Sequence, residues 1–111
     1  MTNINFEEWK RVEMKVGQIL EVERVPKTDK LYKLQVDIGE VKPRQVITGL
    51  VPYYSEEELQ NRKIIVVTNL EPAKFKGELS EAMLLAATDK KNNKVVILTV
   101  EKDIEVGTII T

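Results

Sequence analysis

Residues 69–87 of the chain read NLEPAKFKGELSEAMLLAA and follow a short apolar run, IIVVT at 64–68. A second apolar run, MLLAA at 83–87, ends the stretch. Short, continuously apolar runs are typical of strands that are buried on both faces. Pro72 and Gly77 interrupt regular structure between the two runs. The stretch is therefore predicted to be a loop held between two core strands.

Three neighbouring side chains in this loop, Lys74, Phe75 and Lys76, combine two cations with an aromatic ring. Lysines neutralise phosphates and aromatic rings stack on nucleobases, so the triplet is suited to nucleic acid. The same triplet is also typical of an ordinary surface turn, with two solvated lysines and a half-buried ring. The local pattern leaves both interpretations open.

A longer pattern that includes the triplet, Asn-Leu-x-Pro-x-Lys-x-Lys-Gly-x-x-Ser-x-x-Met, resembles the signature of the tRNA-binding domain family. This domain occurs at the C-terminus of many methionyl-tRNA synthetases, in endothelial-monocyte-activating-polypeptide-type cofactors, and as stand-alone structure-specific tRNA-binding proteins. The resemblance also covers three earlier stretches: VEMKVG at 12–17, DKLY at 29–32 and TGL at 48–50. It therefore extends over most of the chain.

The resemblance implies that six residues contact tRNA: Lys30, Asn69, Lys74, Lys76, Ser80 and Met83. The lysines would neutralise phosphates, the amide and hydroxyl would bond to sugars or base edges, and the thioether would support a base. The structural alternatives are that Met83 fills the core and that Ser80 satisfies the backbone of a turn. Ala82 stands where the family often has Gly, and its less adaptable backbone is expected to reduce affinity if RNA approaches closely there.

The composition limits the function classes that the chain can serve. Its 111 residues are the size of one domain, predicted to span 1–111. The absence of Cys and His excludes disulfides, thiolate chemistry, zinc sites and nucleophiles activated by His. No carboxylates are paired at a spacing typical of acid–base catalysis. We therefore expect a protein that is not an enzyme and that carries no cofactor or metal.

The charge balance is nearly neutral, with a formal net charge of −1. A dedicated nonspecific nucleic-acid binder would be basic overall, so a tRNA binder of this composition has to gather its lysines on one face. No apolar run approaches the roughly twenty residues of a membrane span. The first residues also lack the pattern of a signal peptide. The sequence therefore predicts a cytoplasmic protein without a membrane segment.

Strand patterns follow one another along the chain, and a helix signal separates the third from the fourth. The strands are predicted at 12–25, 31–38, 44–50, 63–68, 83–87, 95–100 and 108–110. The first is long and contains Gly17, where a strand that serves both sides of a small barrel can bend. Ser55 and Glu58 form a capping box for the helix. This order predicts an all-β OB-fold, a five-stranded partly open barrel with short helices and extra C-terminal strands. A β-sandwich is the competing all-β architecture.

The single Trp lies in another helix signal, near the first residue. Asn5 and Glu8 have the spacing of a capping box, and Ile4 and Trp9 have that of a hydrophobic staple. We expect Trp9 to plug one end of the barrel. The alternative is that it packs across a subunit interface, where aromatic residues are enriched.

The resemblance implies a tRNA-binding module without catalytic activity, which recognises the folded shape of tRNA rather than its sequence. It also implies a homodimer, and a role appended to or in partnership with methionyl-tRNA synthetase. The alternative is a protein-interaction domain, because a secretion-chaperone branch of the same fold implies binding of unfolded polypeptide. In that case the loop and the apolar surface near Met83 receive peptide, and the lysines only keep the protein soluble.

Overall fold

The computed structural model describes residues 2–111, and Met1 of the predicted domain 1–111 lies outside them. Within the described range the elements are α1 Phe6–Trp9, β1 Met14–Arg24, β2 Tyr32–Asp37, β3 Arg44–Thr48, α2 Glu56–Leu59, β4 Lys63–Val67, β5 Ala73–Phe75, β6 Glu78–Ser80, β7 Met83–Leu84, β8 Ala86–Asp89, β9 Lys94–Ile97 and β10 Ile109–Ile110. Neither of these helices is long and apolar enough to cross a membrane.

The barrel is organised around β1, its longest strand. Neighbouring strands are antiparallel and follow the order β3-β2-β1-β4-β7. The first half of β1 pairs with β4 and the second half with β2, and the change of partner falls at Gln18, beside Gly17. One strand thus serves both sides of the barrel, as a small barrel requires. The structure adds a bulge between Ile19 and Glu21 that the sequence did not indicate.

The barrel closes between β3 and the segment that joins β6 to β7. This junction rests on single hydrogen bonds rather than on a ladder, and in one of them the N–H of Glu81 donates to the carbonyl of Gln45 at 2.7 Å. Of the later strands, β10 pairs with the start of β1, and β8 and β9 form a separate hairpin. The predicted OB-fold with extra C-terminal strands is confirmed, and the competing sandwich is not adopted.

Gly17 is needed because the barrel leaves no room for a side chain at this position. A Cβ atom there would lie 2.9 Å from Cγ1 of Val36 and 3.0 Å from Cγ2 of Val66. We therefore expect Gly17→Ala to lower the free energy of unfolding by about 1–3 kcal/mol, the usual cost of overpacking a core. The measurement is urea denaturation followed by circular dichroism.

The matched control for this substitution is Gly49→Ala. A Cβ at Gly49 would meet nothing within 4 Å, so Ala there is expected to leave stability unchanged or raise it by up to about 1 kcal/mol. Equal midpoints for the two variants would show that the valines around Gly17 move aside without cost.

The two apolar runs that border the central stretch behave differently. The run at 64–68 is buried throughout, as predicted for a strand covered on both faces. The same prediction for 83–87 is wrong, because Met83 and Ala87 are exposed and the run is divided between β7 and β8. β7 pairs with β4 and β8 pairs with β9, so the two pieces belong to different sheets.

Both predicted capping boxes are present. The side chain of Asn5 accepts a hydrogen bond from the N–H of Glu8, and the side chain of Ser55 accepts one from the N–H of Glu58. In each pair the glutamate carboxylate accepts a second hydrogen bond from the N–H of the N-cap residue. Leu59, at the end of α2, is fully buried in the barrel core. α2 therefore joins the fold through one apolar anchor and its cap.

The prediction that Trp9 plugs the barrel is wrong. Trp9 is 44% exposed, and α1 buries none of its residues. The helix instead lies beside the edge where β1 meets β10, and there Trp9, Phe6 and Ile109 border an open cleft of about 380 Å³. The core is filled without Trp9, so its ring remains on the surface.

Candidate nucleic-acid interface

The stretch predicted as a loop contains a β-hairpin, here called the central hairpin, which consists of β5, β6 and their turn (73–80). Its turn is formed by Lys76 and Gly77, whose φ angles are +53° and +82°. Positive φ at both central residues is characteristic of a type I′ turn, whose twist matches that of the flanking strands. The prediction of an irregular loop was wrong, because Pro72 lies just before β5 and does not interrupt the hairpin. The sequence signal for the hairpin was a Gly at the second turn position between two short alternating segments.

Ser80, one of the predicted tRNA contacts, lies under the central hairpin rather than on its surface. It is 7% exposed, and its hydroxyl both accepts a hydrogen bond from the N–H of Ile47 and donates one to the carbonyl of Ala82, each at 3.0 Å. These bonds tie the end of the hairpin to β3. Ala82 has no positive φ, so an L-residue is accommodated there without backbone strain.

Asn69, another predicted contact, is exposed but uses both ends of its amide on the protein backbone. Its Oδ1 accepts a hydrogen bond from the N–H of Glu13 at 2.9 Å, and its Nδ2 donates to the carbonyl of Arg11 at 2.5 Å. These bonds fasten the segment ahead of β1 to the end of β4. The amide therefore fixes the point from which the chain departs toward the central hairpin.

A positioning residue that the sequence did not reveal is Arg44, the first residue of β3. Its Nη1 donates to the carbonyls of Thr68 and Glu81 at 2.7 and 3.2 Å, and so bridges the two ends of the segment that carries the hairpin. Its Nε and Nη2 donate to the carboxylate of Glu40 at 3.0 and 2.9 Å. These hydrogen bonds hold the pKa of Glu40 below its ordinary value. No local pattern distinguishes such an Arg from a solvated one.

The predicted lysines are all on the surface. Lys74 and Lys76 lie on the central hairpin, and Lys30 lies in the loop between β1 and β2. None of the three forms an ion pair with any residue in the range 2–111. Their ammonium groups are therefore available to an anionic ligand.

Lys33 connects the central hairpin to the loop that carries Lys30. Its Nζ lies 3.0 Å from a carboxylate oxygen of Glu23 and 3.4 Å from one of Glu78, beside the hairpin turn. Hydrogen bonds to these two carboxylates raise the pKa of Lys33. The charge of Lys33 is thereby balanced within the protein. The contact also sets the hairpin tip on the side of β2 where the loop with Lys30 ends.

Met83, the sixth predicted contact, lies at the edge of a cleft between the central hairpin and the barrel. The cleft has a volume of about 130 Å³ and is lined by Ile47, Leu70, Glu71, Ala73, Phe75, Ser80, Ala82 and Met83. Met83 and Phe75 are each 46% exposed. The alternative that Met83 is a core residue is wrong. Phe75, which the sequence motif did not single out, contributes as much exposed surface.

The two faces of the central hairpin differ because strand side chains alternate. Ala73, Phe75 and Ser80 line the cleft, whereas Lys74 and its cross-strand partner Leu79 do not. The hairpin thus turns Phe75 toward the cleft and carries the cation of Lys74 on its outer face. It can offer stacking on one side and phosphate neutralisation on the other.

Known proteins are similar to this chain over most of its length. Residues 14–109 match the family described as the putative tRNA binding domain. A methionine–tRNA ligase of Methanocaldococcus jannaschii is 46% identical over 107 residues, which are 96% of this chain but 16% of the ligase. This chain thus spans about one sixth of that relative.

Two solved structures superimpose over nearly the whole chain. The MetRS-related protein of Pyrococcus horikoshii has a TM-score of 0.92 at 35% identity, with all of both chains covered. The chaperone CsaA of Bacillus anthracis has a TM-score of 0.87 at 25% identity, covering 99% of this chain and 100% of CsaA. With most of its length matched at sequence and structure level, the chain belongs to the tRNA-binding domain family and is homologous to the C-terminal domain of methionine–tRNA ligases.

Proposed function

We propose that this domain binds folded tRNA without catalysing a reaction and that Lys30, Lys74 and Lys76 neutralise its phosphates. The observation that carries the proposal is the state of these lysines, which are exposed and without ion pairs in residues 2–111. Lysines held in internal ion pairs, such as Lys33 and Lys63, are less available. A chain with a net charge of −1 can bind RNA if its free cations lie together.

Recognition of tRNA shape requires that these lysines keep fixed positions, because RNA duplexes are read through backbone spacing rather than base edges. Asn69 and Ser80 support this by holding the two ends of the segment that carries the central hairpin. In this proposal they act as positioning residues. Of the six predicted contacts, Met83 and the three lysines are the ones that touch RNA.

We also propose that the domain is a homodimer formed through the terminal patch, defined as Ile4, Phe6, Trp9, Val12 and Ile109. All five side chains are exposed and apolar, and Phe6, Trp9, Val12 and Ile109 border the 380 Å³ cleft beside β10. Exposed apolar patches that include aromatic residues are characteristic of interfaces. A dimer would bring two sets of Lys30, Lys74 and Lys76 to one tRNA, which would raise the avidity of the protein for tRNA. We further propose that the domain is cytoplasmic and that it is attached to methionyl-tRNA synthetase or acts as its partner.

Polypeptide binding is the second candidate function. The observation in its favour is the apolar cleft beside Met83, together with the likeness to a protein named as a chaperone. In this candidate the cleft receives an apolar side chain of an unfolded polypeptide. The exposed lysines of the central hairpin would then be dispensable for binding.

The experiment that tests the first proposal is a titration of labelled, folded tRNA at several salt concentrations. Three phosphate contacts per copy predict that log K falls against log salt with a slope of about −2 to −3 for each copy that engages the tRNA. An unstructured strand of equal length should bind more weakly. No binding at low salt would refute the proposal, and equal affinity for both RNAs would refute shape recognition.

A further inference from the structure

We propose that the cleft between the central hairpin and the barrel holds one unpaired nucleobase of the bound tRNA. This inference rests on the proposed function and adds a base-binding pocket to it. The pocket combines a wall from the hairpin with a wall from the barrel. Phe75 supplies the first, and Met83, at the start of β7, supplies the second.

The size and lining of the cleft favour a single flat ring system. Its volume of about 130 Å³ lies well below the roughly 300–1,000 Å³ of pockets for drug-sized ligands. Most of its lining side chains are apolar, and Phe75 and Met83 present soft, polarisable surfaces of the kind on which bases stack. Both side chains are 46% exposed and so are accessible to a ligand.

One polar group at the cleft gives it a hydrogen-bonding character that suits a base. Glu71 lines the cleft and is exposed, and its carboxylate can accept hydrogen bonds only. Adenine, cytosine and guanine each carry an exocyclic amino group that donates. The other polar side chain in the lining is Ser80, whose hydroxyl is already hydrogen-bonded to the backbone of Ile47 and Ala82. The pocket therefore favours a base edge that donates a hydrogen bond, such as an exocyclic amino group.

The cations on the same hairpin distinguish a nucleotide from an apolar peptide side chain. Lys76 follows Phe75 directly at the turn, and Lys74 precedes it on the outer face. A base that enters the cleft brings its own phosphates to the hairpin, where both ammonium groups are unpaired within the described residues. A peptide side chain brings no such charge. The charge pattern thus selects the nucleotide.

The test compares Phe75→Ala and Met83→Ala with Leu79→Ala in tRNA titrations at several salt concentrations. Loss of base stacking is expected to raise Kd about 5- to 150-fold for the first two variants. Their salt slopes should match the wild type, because every lysine–phosphate pair is retained. Leu79 is an exposed apolar residue of the same hairpin that does not line the cleft, so its replacement should change Kd by less than about twofold.

A second measurement observes the cleft directly through the ¹³C-labelled methyl groups of the methionines. Adding tRNA should move the Met83 methyl signal upfield, because a stacked base imposes its ring current there. The signal of Met14, on β1, should remain in place. Unchanged urea midpoints would show that the variants are folded.

The outcomes separate this inference from the proposed function. The base pocket would be overturned, with tRNA binding left intact, by three results together. The variants Phe75→Ala, Met83→Ala and Leu79→Ala would bind tRNA equally well, the Met83 signal would not move, and the dependence of log K on log salt would stay steep. No tRNA binding at any salt concentration would overturn both. A Met83 signal that moves with reduced, unfolded lactalbumin but not with tRNA would assign the cleft to polypeptide.

Discussion

The double variant Lys74→Ala/Lys76→Ala is expected to bind tRNA roughly 10- to 100-fold more weakly at low salt, since each charge-assisted hydrogen bond to phosphate is worth about 1 kcal/mol or more. The slope of log K against log salt should become shallower by about 0.7–0.9 for each phosphate that is no longer neutralised. Both effects follow from the unpaired state of the two lysines within residues 2–111. Filter binding over a series of salt concentrations measures them together.

The control for this variant is Lys42→Ala/Lys102→Ala. Both lysines are exposed, and both lie away from the loop that carries Lys30, since Lys42 follows β2 and Lys102 precedes the Asp103 that pairs with Lys63. Each double variant changes the net charge by the same amount, from −1 to −3. Equal effects in the two would mean that only overall charge matters. Unchanged binding in the hairpin variant would contradict the proposed interface.

The hairpin variant should keep its structure, which makes a loss of binding interpretable. Lys76 has a φ of +53°, a conformation whose cost is similar for Lys and Ala because neither is branched at Cβ. Replacing Lys by Ala therefore adds no backbone strain. The bonds that hold the hairpin come from Gln45, whose amide donates to the carbonyl of Leu79 at 2.8 Å, and from Ser80. Both remain in the variant.

Patterns that depend on near neighbours predicted much of the fold. Alternation identified β2, the apolar run 64–68 identified β4, and the two capping boxes located α1 and α2. These signals work because side-chain direction and cap geometry are decided within a few residues. The long apolar alternation of 12–25, interrupted by Gly17, likewise predicted a first strand that is shared by both sides of the barrel.

Features that depend on distant partners were not predictable from the chain alone. Arg44 bridges Thr68 and Glu81, residues that only the closed barrel brings beside it. Ser80 was predicted from its motif to contact tRNA, but it is buried and its hydroxyl accepts a hydrogen bond from Ile47 in β3. The cleft between the central hairpin and the barrel is likewise assembled from separate segments. The sequence therefore located the stretch proposed to carry the interface, but not which of its side chains bond to the barrel and which face outward.

Trp9→Asp is expected to convert the proposed dimer into a monomer, and sedimentation velocity measures this directly. A symmetric interface would bury one new carboxylate from each copy, and the desolvation cost of several kcal/mol per ion should weaken dimerisation by more than about 100-fold. The fold should tolerate the change, because Trp9 is exposed and α1 buries none of its residues. Loss of the second copy's Lys30, Lys74 and Lys76 should then reduce tRNA affinity as well, by roughly 100-fold or more if both copies bind the same tRNA.

Val96→Asp is the control, since Val96 is an exposed apolar residue on β9, outside the terminal patch. It should leave both the dimer and tRNA affinity unchanged. A monomer from Val96→Asp and a dimer from Trp9→Asp would place the interface on the β8–β9 hairpin instead. If Trp9→Asp is monomeric yet binds tRNA as tightly as the wild type, one set of Lys30, Lys74 and Lys76 is sufficient. Avidity would then be no part of recognition, because a single domain would make every contact that the tRNA requires.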